Sequence, residues 1–339
     1  MASGRTGFWY AWAIPATGPS LLRFVVMTPG SPVSSGGEPV TGSLAVQAVP
    51  GAGPGVNESG PELLDERPLE DGQHVDGGRH NKDVAWADFA PEAYWNHNYR
   101  YLRVDDTEII RAVGAFFAEH FKTRPWPVGR GIDVGSGSNL YPALSMLPWC
   151  REIHLTDHSP SNVAWLREHA ADVGGPDPQA RDPWAWEPFW NEFRDNFKGY
   201  PTIADPRAAL HRATEGNIDE RSVFTLRPED EFDIGTMFFV AESMTSFENE
   251  FDVATERFIR CLRPGSPFAA AFMDSSVGYV VADKSFPAVQ EVTEDVVKDV
   301  LITQLGCDAL VTKVQVPASD PLRDGYKGMI IAVGTTGPF

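Results

Sequence analysis

The chain has 339 residues, with 28 lysines and arginines against 47 aspartates and glutamates, a formal net charge of -19. That length suffices for one large α/β domain with appendages or for two small domains. The surplus of carboxylates argues against a surface that tracks phosphate, so neither nucleic acid nor an anionic membrane is an expected partner.

In chain order, residues 1–81 read as a tail. Phe8 to Ile14 is apolar and follows Arg5, but Pro15 and Pro19 interrupt it before Arg23, which argues against an export signal. Met27 is a candidate native start. From Thr28 to Asn81 the chain is dense in Pro, Gly, Ser and acids, a composition expected to stay largely disordered because it buries too little apolar surface to offset its ordering entropy. No internal repeat is visible, and no apolar run is long enough to span a bilayer. Cys150, Cys261 and Cys307 are scattered without metal-ligand spacing, which suggests small buried hydrophobes, a reducing cytoplasm and no metal site.

Order is expected from Asp83 onward. Phe89 to Tyr101 is rich in aromatic residues, and Asp106 or Thr107 is expected to cap a helix from Glu108 to Phe121, whose apolar positions 109, 110, 113, 116, 117 and 121 share one face. Pro125 and Pro127 stop it. Arg130 to Val134 reads as a strand, Tyr141 to Leu147 as a helix, Glu152 to Asp157 as a second strand, and Pro160 to Ala171 as a helix capped by Ser159. Asp182 to Phe193 carries many large rings. Ala208 to Asn217 leads towards a weakly marked third strand. Glu231 to Val240 is a buried strand, Ser246 to Cys261 a helix, Ser266 to Asp274 a fifth strand and Val292 to Leu305 a helix. The pair 309–316 and 327–334 is expected to close the sheet with an antiparallel ending. Strand and helix in alternation imply an open, mostly parallel sheet covered on both faces, with its ligand crevice at the carboxyl ends of the strands.

The most informative stretch is Gly131 to Asn139, GIDVGSGSN, a strand running into a glycine turn. Gly135 and Gly137 permit positive φ and leave room for a ligand against the backbone. Asp157 ends the second strand about 20 residues beyond Gly137, the interval at which nucleotide folds place an acid for ribose hydroxyls. Asn139 and Leu140 stand where a dinucleotide turn would carry its third glycine, and Arg263-Pro-Gly265 precedes the fifth strand.

With Phe89-Ala-Pro-Glu-Ala-Tyr94-Trp-Asn-His-Asn-Tyr99-Arg-Tyr, Tyr141 after the turn, and Thr156-Asp157-His158-Ser-Pro-Ser-Asn162, the chain from Ala85 onward resembles class I S-adenosylmethionine methyltransferases of the nicotinamide, phenylethanolamine and thioether methyltransferase type. The resemblance implies a Rossmann-like, seven-stranded, mostly parallel sheet with an antiparallel last strand, residues 129–339 forming the cofactor domain and 82–128 an N-terminal helical lid. It implies S-adenosylmethionine as cofactor, with S-adenosylhomocysteine as product. Tyr94 and Tyr99 would close over the methionine end, with Gly135, Ser136 and Gly137 beneath it and Tyr141 touching its carboxylate. Asp157 would hold the ribose diol, with His158 and Asn162 near it. Asn217 stands where the family has an acid near adenine, and Ile218 follows; Asp219 is a nearby substitute. Thr236 would face the cofactor from the fourth strand. Phe239 and the segment carrying Ser275 and Tyr279 would complete a substrate lid.

Methyl transfer from a sulfonium needs an in-line nucleophile, and positioning supplies most of the acceleration. Pyridine or thioether acceptors need no general base, whereas a hydroxyl or carbon acceptor does. The implied acceptor is a small molecule, an amine or an aza-heterocycle. A carbon acceptor such as a prenyl diphosphate is the alternative. Trp184, Trp186 and Trp190 would then line a cation-tolerant wall and Glu187 or Glu242 would act as base, with Tyr94 at the reacting centre. In that case Mg²⁺ and anion contacts from Arg100, Arg103 or Lys284 would be needed. The ring-rich segment reads equally as core filling, Glu242 as a solvated loop acid and His97 as a structural histidine. A silent cofactor-binding protein is a further reading, which intact Tyr94, Tyr99 and Asp157 oppose.

Overall fold

The computed structural model describes residues 78–124, 127–171, 184–314 and 327–338. The expected tail therefore lies outside the described residues up to position 77, as do the apolar stretch at 8–14, Met27 and Pro125. Nine strands are described: β1 (Val128–Val134), β2 (Cys150–Asp157), β3 (Ile218–Glu220), β4 (Ile234–Phe238), β5 (Pro267–Met273), β6 (Tyr279–Val281), β7 (Lys284–Phe286), β8 (Asp308–Val314) and β9 (Met329–Thr335). Seven of them form one sheet in the order β3-β2-β1-β4-β5-β9-β8. β1 to β5 run parallel, while β9 lies antiparallel to both β5 and β8. The chain's last strand is thus the reversed one, as the closing pair of apolar runs predicts.

Side chains alternate across the sheet as strand geometry requires. On β5, Ala269, Ala271 and Met273 join one core, and Phe268, Ala270 and Phe272 join the other. The first core is covered by α2 (Val104–His120), α3 (Tyr141–Met146), α4 (Pro160–Ala171), α5 (Glu187–Asn196) and α6 (Pro206–Thr214); the second lies under α7 (Glu248–Arg260) and α8 (Glu294–Lys298), which continues as a π-turn over Asp299–Gln304. Cys150, Cys261 and Cys307 are buried and unbridged.

One local expectation needs correction. Asp106 and Thr107 do not cap α2, which starts at Val104 with Arg103 before it. The Thr107 hydroxyl instead donates back to the Arg103 carbonyl at 2.8 Å, and both Asp105 and Asp106 fall inside the buried first turn. The segment after β5 folds as the β6–β7 hairpin. Its rings pack with Val84, Trp86 and Phe89 in a third, small apolar cluster. Ahead of α2 lies α1 (Pro91–Asn98). The strand order reverses between β1 and β4, which opens a crevice at their carboxyl ends.

Candidate active site

At that switch point the chain leaves β1 through Gly135 and Gly137, with φ of 64° and 56°. A Cβ built on Gly135 would come within 2.6 Å of the Val240 side chain. Conformation and crowding therefore both demand glycine at 135. At Gly137 the space is open, the nearest atoms to a Cβ being 3.9 and 4.0 Å away, so backbone can be approached there from the crevice.

Asp157, at the end of β2, fastens this turn. Its Oδ2 accepts the Gly137 N–H at 2.8 Å, and its Oδ1 accepts the Ser159 N–H at 2.7 Å and the Asn162 Nδ2 at 3.2 Å. Burial pushes its pKa up, while those hydrogen bonds oppose the rise. Beneath the turn, Asp133 Oδ1 accepts from the Thr236 hydroxyl at 2.7 Å and its Oδ2 has no partner. Burial raises the Asp133 carboxyl to about 7.

The opposite wall is aromatic. The Tyr94 ring sits 5.3 Å from Phe89, 5.9 Å from Tyr99 and 6.2 Å from Tyr279 between centroids. Two serines at the start of α4 hold the Trp86–Phe89 segment in place: Ser159 Oγ donates to the Trp86 carbonyl at 2.7 Å and Ser161 Oγ to the Phe89 carbonyl at 2.8 Å. Past β4, Phe239 takes φ of 60°, unusual for a non-glycine residue, and its N–H donates to Ala271 O at 2.7 Å. Such strain is the kind found where a backbone is shaped for a ligand. Together these walls border an open cleft.

The cleft brings together Tyr94, Tyr99, Gly135, Ser136 and Gly137 with Asp157, His158, Asn162, Phe239 and Tyr279. Other candidate residues are placed elsewhere. Glu187 is exposed at the first position of α5, because Phe189, Trp190 and Phe193 take the inward face. Trp186 and Trp190 are buried in the main core and Trp184 packs against it, so these rings fill the core and do not line the cleft. Glu242 is not a solvated loop acid: it is fully buried, its Oε1 accepting the Met273 N–H at 3.0 Å and the Ser243 hydroxyl at 3.2 Å. Thr236 is turned to Asp133 and away from the cleft, and Ser275 borders a separate surface hollow. Asn217 uses its carbonyl to accept Leu155 N–H at 2.9 Å, Ile218 opens β3 and pairs with Leu155 of β2, and Arg221, Ser222 and Val223 form that end of the cleft. Arg100, Arg103 and Lys284 do not line it; Arg103 pairs with Asp105 and Lys284 reaches Asp88 at 4.0 Å. Tyr141 is fully buried, with its ring 6.0 Å behind that of Tyr99.

Sequence reading missed Trp86, Asn81, Arg221, Val223, Ser243 and Met244, all of which line the cleft. Trp86 alone had a visible signal, an isolated tryptophan just ahead of the aromatic run. Among the described residues no cluster of three or more His, Cys, Asp or Glu has the arrangement to hold a metal ion, and no helix is long and apolar enough to cross a membrane.

A seven-stranded sheet with a reversed last strand, carrying a glycine turn fastened by a β2 carboxylate at its switch point, is the architecture of a class I, Rossmann-like methyltransferase. A family model described as the NNMT/PNMT/TEMT family matches residues 79–334, and the chain belongs to that family. It is accordingly an S-adenosylmethionine-dependent methyltransferase. A search of curated proteins gave no match. Similar solved structures include the N-methyltransferase NodS from Bradyrhizobium japonicum with S-adenosyl-l-homocysteine, at 9% identity and a TM-score of 0.39, covering 73% of this chain and 99% of that one. Another is a Burkholderia thailandensis 1,6-didemethyltoxoflavin-N1-methyltransferase with bound 1,6-didemethyltoxoflavin and S-adenosylhomocysteine, at 14% identity and 0.39, covering 69% and 80%. A third is an S-adenosylmethionine-dependent methyltransferase from Clostridium acetobutylicum, at 10% identity and 0.42, covering 73% and 98%.

Proposed function

We propose that the protein methylates a small acceptor which presents its own lone pair, an amine or an aza-heterocycle, inside a cleft closed by the Trp86–Tyr99 segment and the β6–β7 hairpin. The observation that carries this reading is the distribution of charge around the cleft. Among the described residues that line it, the carboxylate Asp157 and the imidazole His158 both stand at the end of β2, whereas the Tyr94 side offers aromatic faces and hydroxyls. An acceptor seated there meets no carboxylate or imidazole among the described residues to deprotonate it.

The residues present suit an adenosine ligand with an amino-acid tail. Asn162 Oδ1 and Ser138 Oγ, at the cleft, are buried without hydrogen-bond partners, and the space over Gly137 would be filled by any Cβ. Asp157 retains lone pairs for a ribose diol, and Gly135 to Gly137 offer backbone beneath it. Tyr94 and Tyr99 enclose the methionine end, and Tyr141, directly behind Tyr99, receives the carboxylate. The cofactor supplies an electrophilic methyl on a sulfonium. Tyr94, Phe239 and Tyr279 hold the acceptor in line with that methyl and exclude water, and their electron-rich faces favour the partial positive charge.

Incubation with labelled cofactor and a panel of amines, aza-heterocycles, thioethers, phenols and prenyl diphosphates tests this reading. Label is expected on amines or aza-heterocycles without added Mg²⁺. Transfer confined to a prenyl diphosphate with Mg²⁺ would overturn it.

A further inference from the structure

Ahead of α1, residues 79–86 run as a strap from α7 to the cleft. The Ser246 N–H donates to the Arg79 carbonyl at 3.0 Å, and the His80 ring stacks on Phe247 with centroids 3.8 Å apart. Glu250, in the first turn of α7, holds the same strap with both oxygens: Oε1 accepts from His80 Nδ1 at 2.8 Å and Oε2 accepts the Asn81 N–H at 2.9 Å. Asn81 is buried and lines the cleft beside Trp86. Its Oδ1 accepts the Trp86 Nε1–H at 2.9 Å. An indole N–H can only donate, so the amide must turn its oxygen to Trp86. The other end of the amide, Nδ2, is a pure donor and has no partner among the described residues.

These residues stand at one particular end of the cleft. Trp86 packs on the second core, to which the cleft residues Val223 and Met244 belong. The Trp86 carbonyl is held by Ser159, two residues beyond Asp157, and α7 packs against the 3₁₀ turn Val223–Thr225. Arg221, also at this end, turns its guanidinium to Asp230 and to the Thr225 carbonyl. Neither Asn217 nor Asp219 lines the cleft.

We propose that Asn81 is a specificity-determining residue for the purine of the cofactor: the base lies in a slot between Trp86 and the apolar pair Val223 and Met244, and Asn81 Nδ2 donates to one of its ring nitrogens. The inference rests on the reading that places the ribose at Asp157, since the base continues from that sugar. The sense of the hydrogen bond follows from the network. An acid beside adenine accepts from the exocyclic amino group, whereas an amide whose oxygen is taken by Trp86 can only donate, and the acceptors of adenine are N1, N3 and N7. Glu250 is then a positioning residue. It does not line the cleft, and it sets where Asn81 stands.

The test is calorimetric affinity of the full chain for S-adenosylhomocysteine and for its 1-deaza, 3-deaza and 7-deaza analogues, in each of which one ring nitrogen becomes C–H. In wild type one analogue is expected to bind roughly tenfold more weakly than the parent, as befits loss of one buried hydrogen bond. Asn81→Asp keeps an oxygen for Trp86 and the N–H for Glu250 but has no amide donor. That deficit should vanish in the variant, with affinity for the parent reduced by a similar factor. Glu250→Ala, which releases the strap, should narrow the deficit, whereas a merely structural role would weaken parent and analogue alike. Equal affinity of wild type for all four ligands, or deficits that persist undiminished in Asn81→Asp, would overturn the role of Asn81. A deficit unchanged in Glu250→Ala would overturn the positioning role of Glu250. Binding of S-adenosylhomocysteine to Asp157→Ala as tight as to wild type would instead overturn the placement of the ribose on which the inference rests.

Discussion

Gly135 is the residue on which the cleft most directly turns, since its φ of 64° and the Val240 side chain 2.6 Å from a built Cβ leave no room for alanine. Gly135→Ala should weaken S-adenosylhomocysteine binding by roughly tenfold or more through strain and displacement of Val240, and unchanged affinity by calorimetry would contradict that. Glu187→Gln should keep turnover within about twofold of wild type, because an exposed side chain away from special features contributes little. Lost turnover with intact cofactor binding would restore carbon methylation and a base at 187. The glycine turn and Asp157 were legible because they are local: strand, turn and acid follow one another at a fixed interval. Residues whose role depends on which way a side chain points were not. Thr236 lies on a strand short enough that its facing is settled by Asp133, and Asn217 gave way to Arg221–Val223 because a three-residue β3 does not fix where the following loop meets the cleft.

Among the elements, α5 shows why rings in sequence do not announce a binding wall. Phe189, Trp190 and Phe193 repeat at helical spacing; Phe189 stacks on Tyr141 at 5.6 Å, while Tyr200 stacks on Phe193 at 4.9 Å and meets Trp190 edge-on at 5.7 Å. Trp190→Ala should therefore cost about 3–5 kcal/mol of stability by cavity formation, measured by denaturant unfolding, with S-adenosylhomocysteine affinity preserved. Stability unchanged alongside lost acceptor binding would return Trp190 to the substrate wall. The β6–β7 hairpin escaped notice for a different reason. It turns through Ala282 and Asp283, with Ala282 at φ of 54°, where the usual sequence signal is Asn-Gly or Asp-Gly. The long helices and central strands, by contrast, were readable from the apolar pattern, with ends displaced by at most four residues, as at the start of α2.

At the scale of the whole molecule, a chain of net charge -19 keeps several acids dry, and this sets how its stability responds to pH. Asp106 and Asp133 ionise at about 8 and about 7 in the folded protein, against 3.8 when unfolded. Between about pH 4 and 8 the folded state therefore holds protons that the unfolded chain has released, so these two groups make stability fall as pH rises. His120, pushed down to about 4 by burial, acts in the opposite sense below about 6.5, where only the unfolded chain protonates it. Unfolding of wild type and Asp106→Asn at pH 5 and pH 8 should show a shallower decline in the variant, and parallel declines would contradict a neutral Asp106. The sheet order and its reversal at β1 and β4 place the glycine turn, Asp157 and the aromatic wall at one crevice. Calorimetric titration of S-adenosylhomocysteine into wild type and Asp157→Ala tests most directly whether the cofactor binds there. One site per chain is expected in wild type, with affinity reduced by roughly a hundredfold or more in the variant, as befits loss of a carboxylate that both fastens the turn and accepts from the diol. Absence of binding to the wild-type protein, or equal binding to both, would contradict it.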